Sequence, residues 1–344
     1  MTALLQKIKT GFVEGFIKTF CIKWIWQGFF VNLVYKKFDS WKGWLYLSPA
    51  LVLLAVFTFW PIVNTVRIAF LKDYDALALI GDPDLVFKFG IDNFKYVLTY
   101  QNFWTCLWNT MLLCVITVPV STFLALLIAV CLNSIKFLNR FLQTIYFLPY
   151  VTNSIAIGLV FSTMFNIVGT DKMGPNATIG IVNSVIEFFG GTRIDWMNST
   201  PDLKWANLLV IIIYIVWNAL PFKILILLGG LQSVNKQYYD AAKIDSTPKW
   251  RVFTRVTVPL LSPMITYVVI TGFIGGFKEY SSIAGLFGSA EGTLPKTLNT
   301  MVGYIYQSIK GNQGLASAAS LILFGIIFAV TMLNLYVSKK NTHY

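Results

Sequence analysis

The sequence predicts an all-α membrane protein: six transmembrane helices preceded by an amphipathic helix at the membrane surface. Three observations carry this. Of 344 residues 56% are hydrophobic and only 12% charged, whereas a soluble domain has about 25% charged residues. Six apolar runs are each long enough to cross a bilayer. The basic residues gather beside those runs on one predicted side.

Residues 1–43 read as a basic leader without a small-residue cleavage site or a long apolar core. Phe12/Val13, Phe16/Ile17, Phe20/Cys21 and Trp24/Ile25 recur every four residues, with Lys9, Glu14 and Lys18 largely opposite, the pattern of a helix lying in the membrane surface. The spans are expected at Trp44–Val66, Cys106–Leu132, Phe141–Phe165, Trp205–Leu231, Met264–Leu286 and Leu315–Val337. Pro61, Pro119, Pro149 and Pro221 lie within them, as do Asn153 and Lys223. Polar loops are expected at 67–103, 166–203 and 287–312. Gly272-x-x-x-Gly276, and the small residues Ala316, Ala318, Ala319 and Ser320, suit close helix packing. Six spans put both termini on one side. Sixteen basic residues fall on that side and nine on the other, with Lys223 and Lys278 inside spans completing the 27. The positive-inside rule makes the terminal side cytoplasmic.

Between the fourth and fifth spans lies a polar, basic island, Asn235–Pro263, with helix signals throughout. Asn235 is an expected N-cap, with Asp240 in the first turn. Ser246-Thr247-Pro248 reads as a break and restart, Thr247 capping and Pro248 opening a second helix. Trp250, Phe253 and Val256 form an apolar stripe flanked by Lys249, Arg251 and Arg255, and Pro259 and Pro263 stop or kink the helix.

This island resembles the EAA signature of permease subunits in binding-protein-dependent ABC importers: Glu-Ala-Ala, three residues, Gly, nine residues, Ile-x-Leu-Pro. The spacing fits without a gap at Asp240-Ala241-Ala242, Ser246 and Val256-x-Val258-Pro259. The departures are Asp for Glu, Ser for Gly, and Val for Ile and Leu. Ser246 stands out, because Gly there would permit a positive-φ turn that Ser tolerates poorly. WLYLSPALVLLAVFTFWPIVNTVRIAF, and the paired runs NTMLLCVITVPVSTFLALLIAVCLN and FLQTIYFLPYVTNSIAIGLVFSTMF, are similar to the first three spans of sugar-importer permeases related to the maltose transporter.

The resemblance covers about residues 44–340 and implies the type I ABC importer permease fold in a bacterial-type inner membrane. It implies a second permease subunit, two cytoplasmic ATPases that bind the ATP, an external substrate-binding protein and a carbohydrate cargo, expected to be an oligosaccharide, moved by alternating access. Coupling to the ATPase falls on about residues 235–258, with Tyr239, Asp240, Ala241, Ala242, Asp245, Ser246, Trp250, Phe253 and Pro259 as the residues concerned.

Other classes fare worse. The chain contains no GxxxxGK[ST] phosphate loop, so ATP chemistry must lie in a partner. The sole histidine is His343 in the tail, and Cys21, Cys106, Cys114 and Cys131 lack metal or disulfide spacing. No nucleophile–base pair suggests an enzyme, and no cofactor is expected in this chain. A secondary transporter would show inverted repeats or several membrane acids, yet only Glu279 is a plausible one. The net charge of +12 comes with no nucleic-acid-binding signature. Amide and aromatic side chains suit a sugar path, so Asn153, Trp217, Asn218, Phe273, Phe277 and Tyr280 are candidates, with Lys278 and Glu279 as charged residues late in the fifth span. Each could instead be helix packing. Lys278 leaves open an alternative cargo, an acidic sugar or sugar phosphate.

Overall fold

The structure is a computed structural model that describes residues 40–76, 87–135, 139–169, 177–197, 204–288, 295 and 297–341. The predicted surface helix of the leader lies outside them. The described residues up to Thr65 form one compact unit, and those from Val66 onward form another.

The first apolar helix, Gly43–Ala69, joins α1 (Ser40–Leu54) to α2 (Trp60–Ala69) through a π-helical turn, Ala55–Phe59. Pro61 explains the turn. Its ring crowds the carbonyl four residues back and it has no N–H to donate, so the ladder widens just before it. Trp60 N–H accordingly donates to Ala55 O, one residue beyond the α-helical partner.

The loop expected at 67–103 contains a helix, α3 (Asp92–Thr99), fastened by buried Asn93, whose Nδ2 donates to Ala69 O at 3.0 Å and Leu71 O at 2.9 Å. Next come α4 (Gln101–Ser134), α5 (Asn139–Val151) and α6 (Ser154–Phe165). A two-stranded antiparallel ribbon follows, β1 (Ile167–Val168) paired with β2 (Thr178–Ile179), then α7 (Ile181–Phe188) and the long α8 (Lys204–Ser233). The island folds as α9 (Lys236–Ile244), α10 (Lys249–Val252), a second π-helical turn at Phe253–Thr257 and α11 (Val258–Leu260). The chain closes with α12 (Ser262–Phe277), α13 (Ser281–Phe287), α14 (Met301–Ile309) and α15 (Gln313–Asn341), α14 lying inside the expected loop 287–312.

Among the described residues four helices are long and apolar enough to span a membrane, and six spans result if each of two bent pairs counts as one. Two expectations about the spans are corrected, whereas the kink expected at Pro259 and Pro263 is present. The third span is not one rod: α5 and α6 meet at 97°. Asn153 makes the break, its extended backbone and its Oδ1, which accepts from Ile155 N at 2.9 Å, capping α6. The fifth span is shorter than expected and ends at Phe277, where Lys278 N and Glu279 N donate back to Gly275 O and Gly276 O. Its near end turns 68° from the α10–α11 segment. That bend follows a π-helical turn two residues before Pro259, the same offset as at Pro61.

The core centres on α4. One cluster packs Cys106, Cys114 and Val118 of α4 with Phe277, Met301, Ala318 and Ala319. A second joins Leu113 to Tyr214, Ile283 and Leu286, and a third joins Ala125 and Ala129 to Leu227 and Val268. The small residues have the expected effect. A Cβ on Gly276 would lie 2.8 Å from Cys114 Sγ and one on Gly272 3.0 Å from Val118, so α12 rides directly on α4. Ala316, Ala318 and Ala319 are buried.

Candidate functional site: a cavity around Lys223 and the exposed island

Where α4, α8 and α12 converge they leave a cavity of about 250 Å³. Lys223 dominates its chemistry. It lies nineteen residues into α8 and ten before its end, which is about 28 Å and 15 Å from the two ends at 1.5 Å per residue. Although only 5% exposed, Lys223 forms no ion pair among the described residues. Its Nζ donates to Ser121 Oγ at 2.6 Å, Thr122 Oγ1 at 3.0 Å and Val118 O at 3.3 Å, all neutral oxygens of α4. Gly272 makes the space, since a Cβ there would stand 3.3 Å from Nζ. All three ammonium protons are satisfied, but among the described residues no carboxylate pairs with the charge.

Around Lys223 the wall carries Thr117, Ser121, Asn218 and Thr271, and the rings of Tyr150 and Phe222 stack at 5.6 Å and 19° to form an aromatic platform. Glu279 also lines the cavity, from the non-helical break after α12. Its Oε1 accepts from Ser282 N at 3.0 Å, capping α13, and its backbone O accepts from Thr300 Oγ1 at 2.8 Å.

Of the sequence-predicted path residues, Asn218 and Glu279 therefore meet at one cavity, and the other six do not line it. Asn153 caps α6. Trp217 turns toward Phe161, at 5.1 Å between ring centroids. Phe277 is buried in the α4–α15 core, and Phe273 packs against the same cluster. Tyr280 stacks on Tyr306 at 4.7 Å. Lys278 is exposed at the end of α12. The expectation that Lys278 and Glu279 sit late in the fifth span is corrected, because the helix ends before them at Phe277. Lys223, Tyr150, Ser121 and Thr271 were missed. Lys223 had a readable signal, since an ionisable residue in mid-span is functional by default.

The island forms a second site, beyond the other end of α8. Asn235 caps α9 as expected, its Oδ1 accepting from Gln237 N at 3.0 Å. Asp240 lies in the second turn of α9 rather than the first, and forms an exposed 2.8 Å pair with Lys243. Pro248 is itself the N-cap of α10, displacing Thr247 from that role, because its extended ψ of 145° keeps it outside the helix. Ser246 has φ 51°. Ser246 N donates to Lys243 O and Thr247 N to Ala242 O, the paired bonds of a Schellman helix end, which favours Gly at this left-handed position. Tyr239 OH approaches Thr257 Oγ1 at 3.4 Å, and the Trp250 and Phe253 rings lie 5.7 Å apart. Trp250 (72%) and Ile244 (84%) are open to the surroundings, as are Ala241 and Asp245, whereas Ala242 faces inward. Pro259 enters the second helical position of α11.

Residues 118–343 match the family described as binding-protein-dependent transport system inner membrane component. The chain is 29% identical to the lactose transport permease LacF of Rhizobium radiobacter over 89% of this chain and 97% of that one. It is 29% identical to the arabinooligosaccharide permease AraP of Bacillus subtilis (86% and 87%). To the sulfoquinovosyl glycerol permease SmoG of Agrobacterium fabrum it is 27% identical (89% and 96%). Among solved structures, a chain of a bacterial ABC transporter importing the acidic polysaccharide alginate superposes with TM-score 0.70 at 18% identity, covering 92% of this chain and 99% of that one. The fold is that of a type I ABC permease, and ATP use in such systems lies in a separate ATPase subunit. The chain belongs to the binding-protein-dependent transport system inner membrane components, as a multi-pass, non-catalytic permease of an ATP-driven importer.

Proposed function

We propose that the chain pairs with a second permease subunit to import a carbohydrate by alternating access, and that the cargo carries an anionic group. Relatives named for lactose, arabinooligosaccharides and sulfoquinovosyl glycerol support the carbohydrate class. The acidic class rests on Lys223, a buried cation in the cavity wall whose partners are all neutral. Removing a charge from water costs several kcal/mol, which hydrogen bonds to hydroxyls offset only in part. A carboxylate, sulfonate or phosphate on the cargo supplies the missing counter-charge. Asn218 and the Tyr150–Phe222 platform suit sugar hydroxyls and C–H faces, and Glu279 accepts from hydroxyls while repelling an anion. The cargo is thereby oriented, acid end toward Lys223.

Energy reaches this site through the island. Its exposed surface at Ala241, Ile244 and Trp250 docks a cytoplasmic ATPase, one of two, and the 68° junction before α12 passes that movement to α12. An external binding protein delivers the cargo on the opposite side, and both termini are cytoplasmic by the charge distribution.

Uptake by the assembled transporter in proteoliposomes tests the reading with matched neutral and carboxylated oligosaccharides. A charge-assisted hydrogen bond contributes about 1.5–3 kcal/mol, so Lys223→Met should lower uptake of the acidic sugar about 10- to 100-fold relative to the neutral one, and Lys223→Arg should retain the preference. Equal loss of both sugars would reduce Lys223 to a helix clamp and sink the acidic reading.

A further inference from the structure

Helix α7 is amphipathic in the wrong sense for a water-facing loop. Its buried position is polar: Asn183 is fully enclosed, its Nδ2 donating to Ile194 O at 3.0 Å and its Oδ1 accepting from Ile194 N at 3.1 Å and Trp196 Nε1 at 3.2 Å. One outward arc is apolar, flanked by exposed Ser184 and Glu187. Ile181 (63% exposed), Val185 (50%), Phe188 (85%) and the following Phe189 (81%) fall on one arc at i, i+4, i+7 and i+8. Large aromatic side chains this exposed in a row mark a surface that something covers.

The level at which α7 sits identifies the cover. Gly180, just before the helix, lies against the carbonyls of Thr163 and Met164 so closely that any side chain would collide, which ties α7 to the last turn of α6. From the other direction, Asn207 Nδ2 donates to Trp196 O at 2.6 Å, and Trp196 packs edge-on against Trp205 at 6.1 Å, which ties it to the first turn of α8. Trp205, 54% exposed beside Lys204, opens the apolar run of α8. An aromatic–basic pair at that place belongs at headgroup level. The exposed apolar surface also continues along the neighbouring elements, through Val160 (61%) on α6 and Val168 (60%) on β1. A helix pinned at the membrane–water boundary, with its polar side packed on the protein and its apolar arc outward, has the geometry of an interfacial anchor.

We infer that α7 lies in the bilayer surface opposite the 235–258 loop, with Val185, Phe188 and Phe189 inserted among lipid headgroups and upper acyl chains. The proposal is independent of the cargo. Its consequence is mechanical: α7 holds the ribbon and the outer ends of α6 and α8 at fixed depth while the inner ends move.

Nitroxide labels attached to cysteines substituted for Ser184, Val185 and Phe188, with Cys21 and Cys131 replaced by Ser, test this in the assembled transporter reconstituted in liposomes. Relaxation by oxygen, which concentrates in lipid, is compared with relaxation by a water-soluble nickel chelate. Labels at 185 and 188 should favour oxygen, and the ratio should fall several-fold at 184. Preference for nickel at 185 and 188 would put the arc in water. Exclusion of both reagents would mean that a protein covers it. Either result overturns the inference. All three positions are exposed, so the labelled variants should fold, and retained uptake checks that they do.

Discussion

Gly158 and Gly285 bring α6 and α13 into backbone contact: a Cβ on Gly158 would stand 2.8 Å from Gly285 Cα, and one on Gly285 2.9 Å from Ile155 O. The contact joins the two broken elements that reach the cavity. Ser154, the first residue of α6, donates or accepts a 3.2 Å bond with Tyr214 OH and accepts from cavity-lining Asn218 Nδ2 at 3.4 Å. The α13 end is capped by cavity-lining Glu279.

No flexible side chain stands between these backbones to absorb added volume. Gly158→Val and Gly285→Val should therefore each destabilise the permease by about 1–3 kcal/mol, the usual cost of overpacking. Thermal unfolding of the detergent-solubilised chain should show both transitions lowered. Gly275→Ala is the control, because nothing lies within 4 Å of a Cβ there. A Gly158→Val transition unchanged from that control would disprove the close contact.

That contact also shows where the sequence could be read and where it could not. The rods α4, α8 and α15 are uninterrupted apolar runs, so length and composition suffice for them. Proline does not locate these breaks: Pro119 and Pro221 sit inside unbroken helices. The α5–α6 break depends on Asn153 turning its side chain back on Ile155 and Ala156, and the α12–α13 break follows Gly275-Gly276. In both places apolar residues continue beyond the break, so hydropathy reads one span. The island was legible because caps and prolines act within a few residues. The cavity was not, because Lys223 finds its oxygens about a hundred positions upstream on α4. Residue type selected Trp217, Phe273 and Phe277 as path candidates, but the faces of α8 and α12 on which they fall pack into the core.

The two alanines of the island separate in the structure. Ala241 faces out from α9, whereas Ala242 is only 9% exposed. A large side chain at 241 should thus obstruct a docked partner without disturbing the chain, and the same side chain at 242 should disturb the chain itself. Ala241→Trp should retain normal thermal stability while losing most copurification with the ATPase and most uptake. Ala242→Trp should also lower thermal stability. Full ATPase recovery with Ala241→Trp would remove this surface of α9 from the docking site.

Ser246 offers a gain rather than a loss. Its φ of 51° puts an L-residue where the side chain crowds the following carbonyl, at about 1–2 kcal/mol. The Schellman bonds from Ser246 N and Thr247 N hold it there, because they satisfy the carbonyls of Lys243 and Ala242 at the end of α9. Gly has no Cβ to crowd, although its freer unfolded chain returns about 0.5–1 kcal/mol of the benefit. Ser246→Gly should therefore stabilise the turn by about 0.5–1 kcal/mol net. A β-branched residue suits a left-handed position worse than Ser, so Ser246→Val should weaken the turn. Hydrogen exchange provides the readout, since the amides of residues 246 and 247 are protected only while the turn is closed. Exchange at both should slow in Ser246→Gly and quicken in Ser246→Val, with the distant amides of α15 unchanged. Equal exchange in all three proteins would mean that the left-handed turn is not what holds the end of α9.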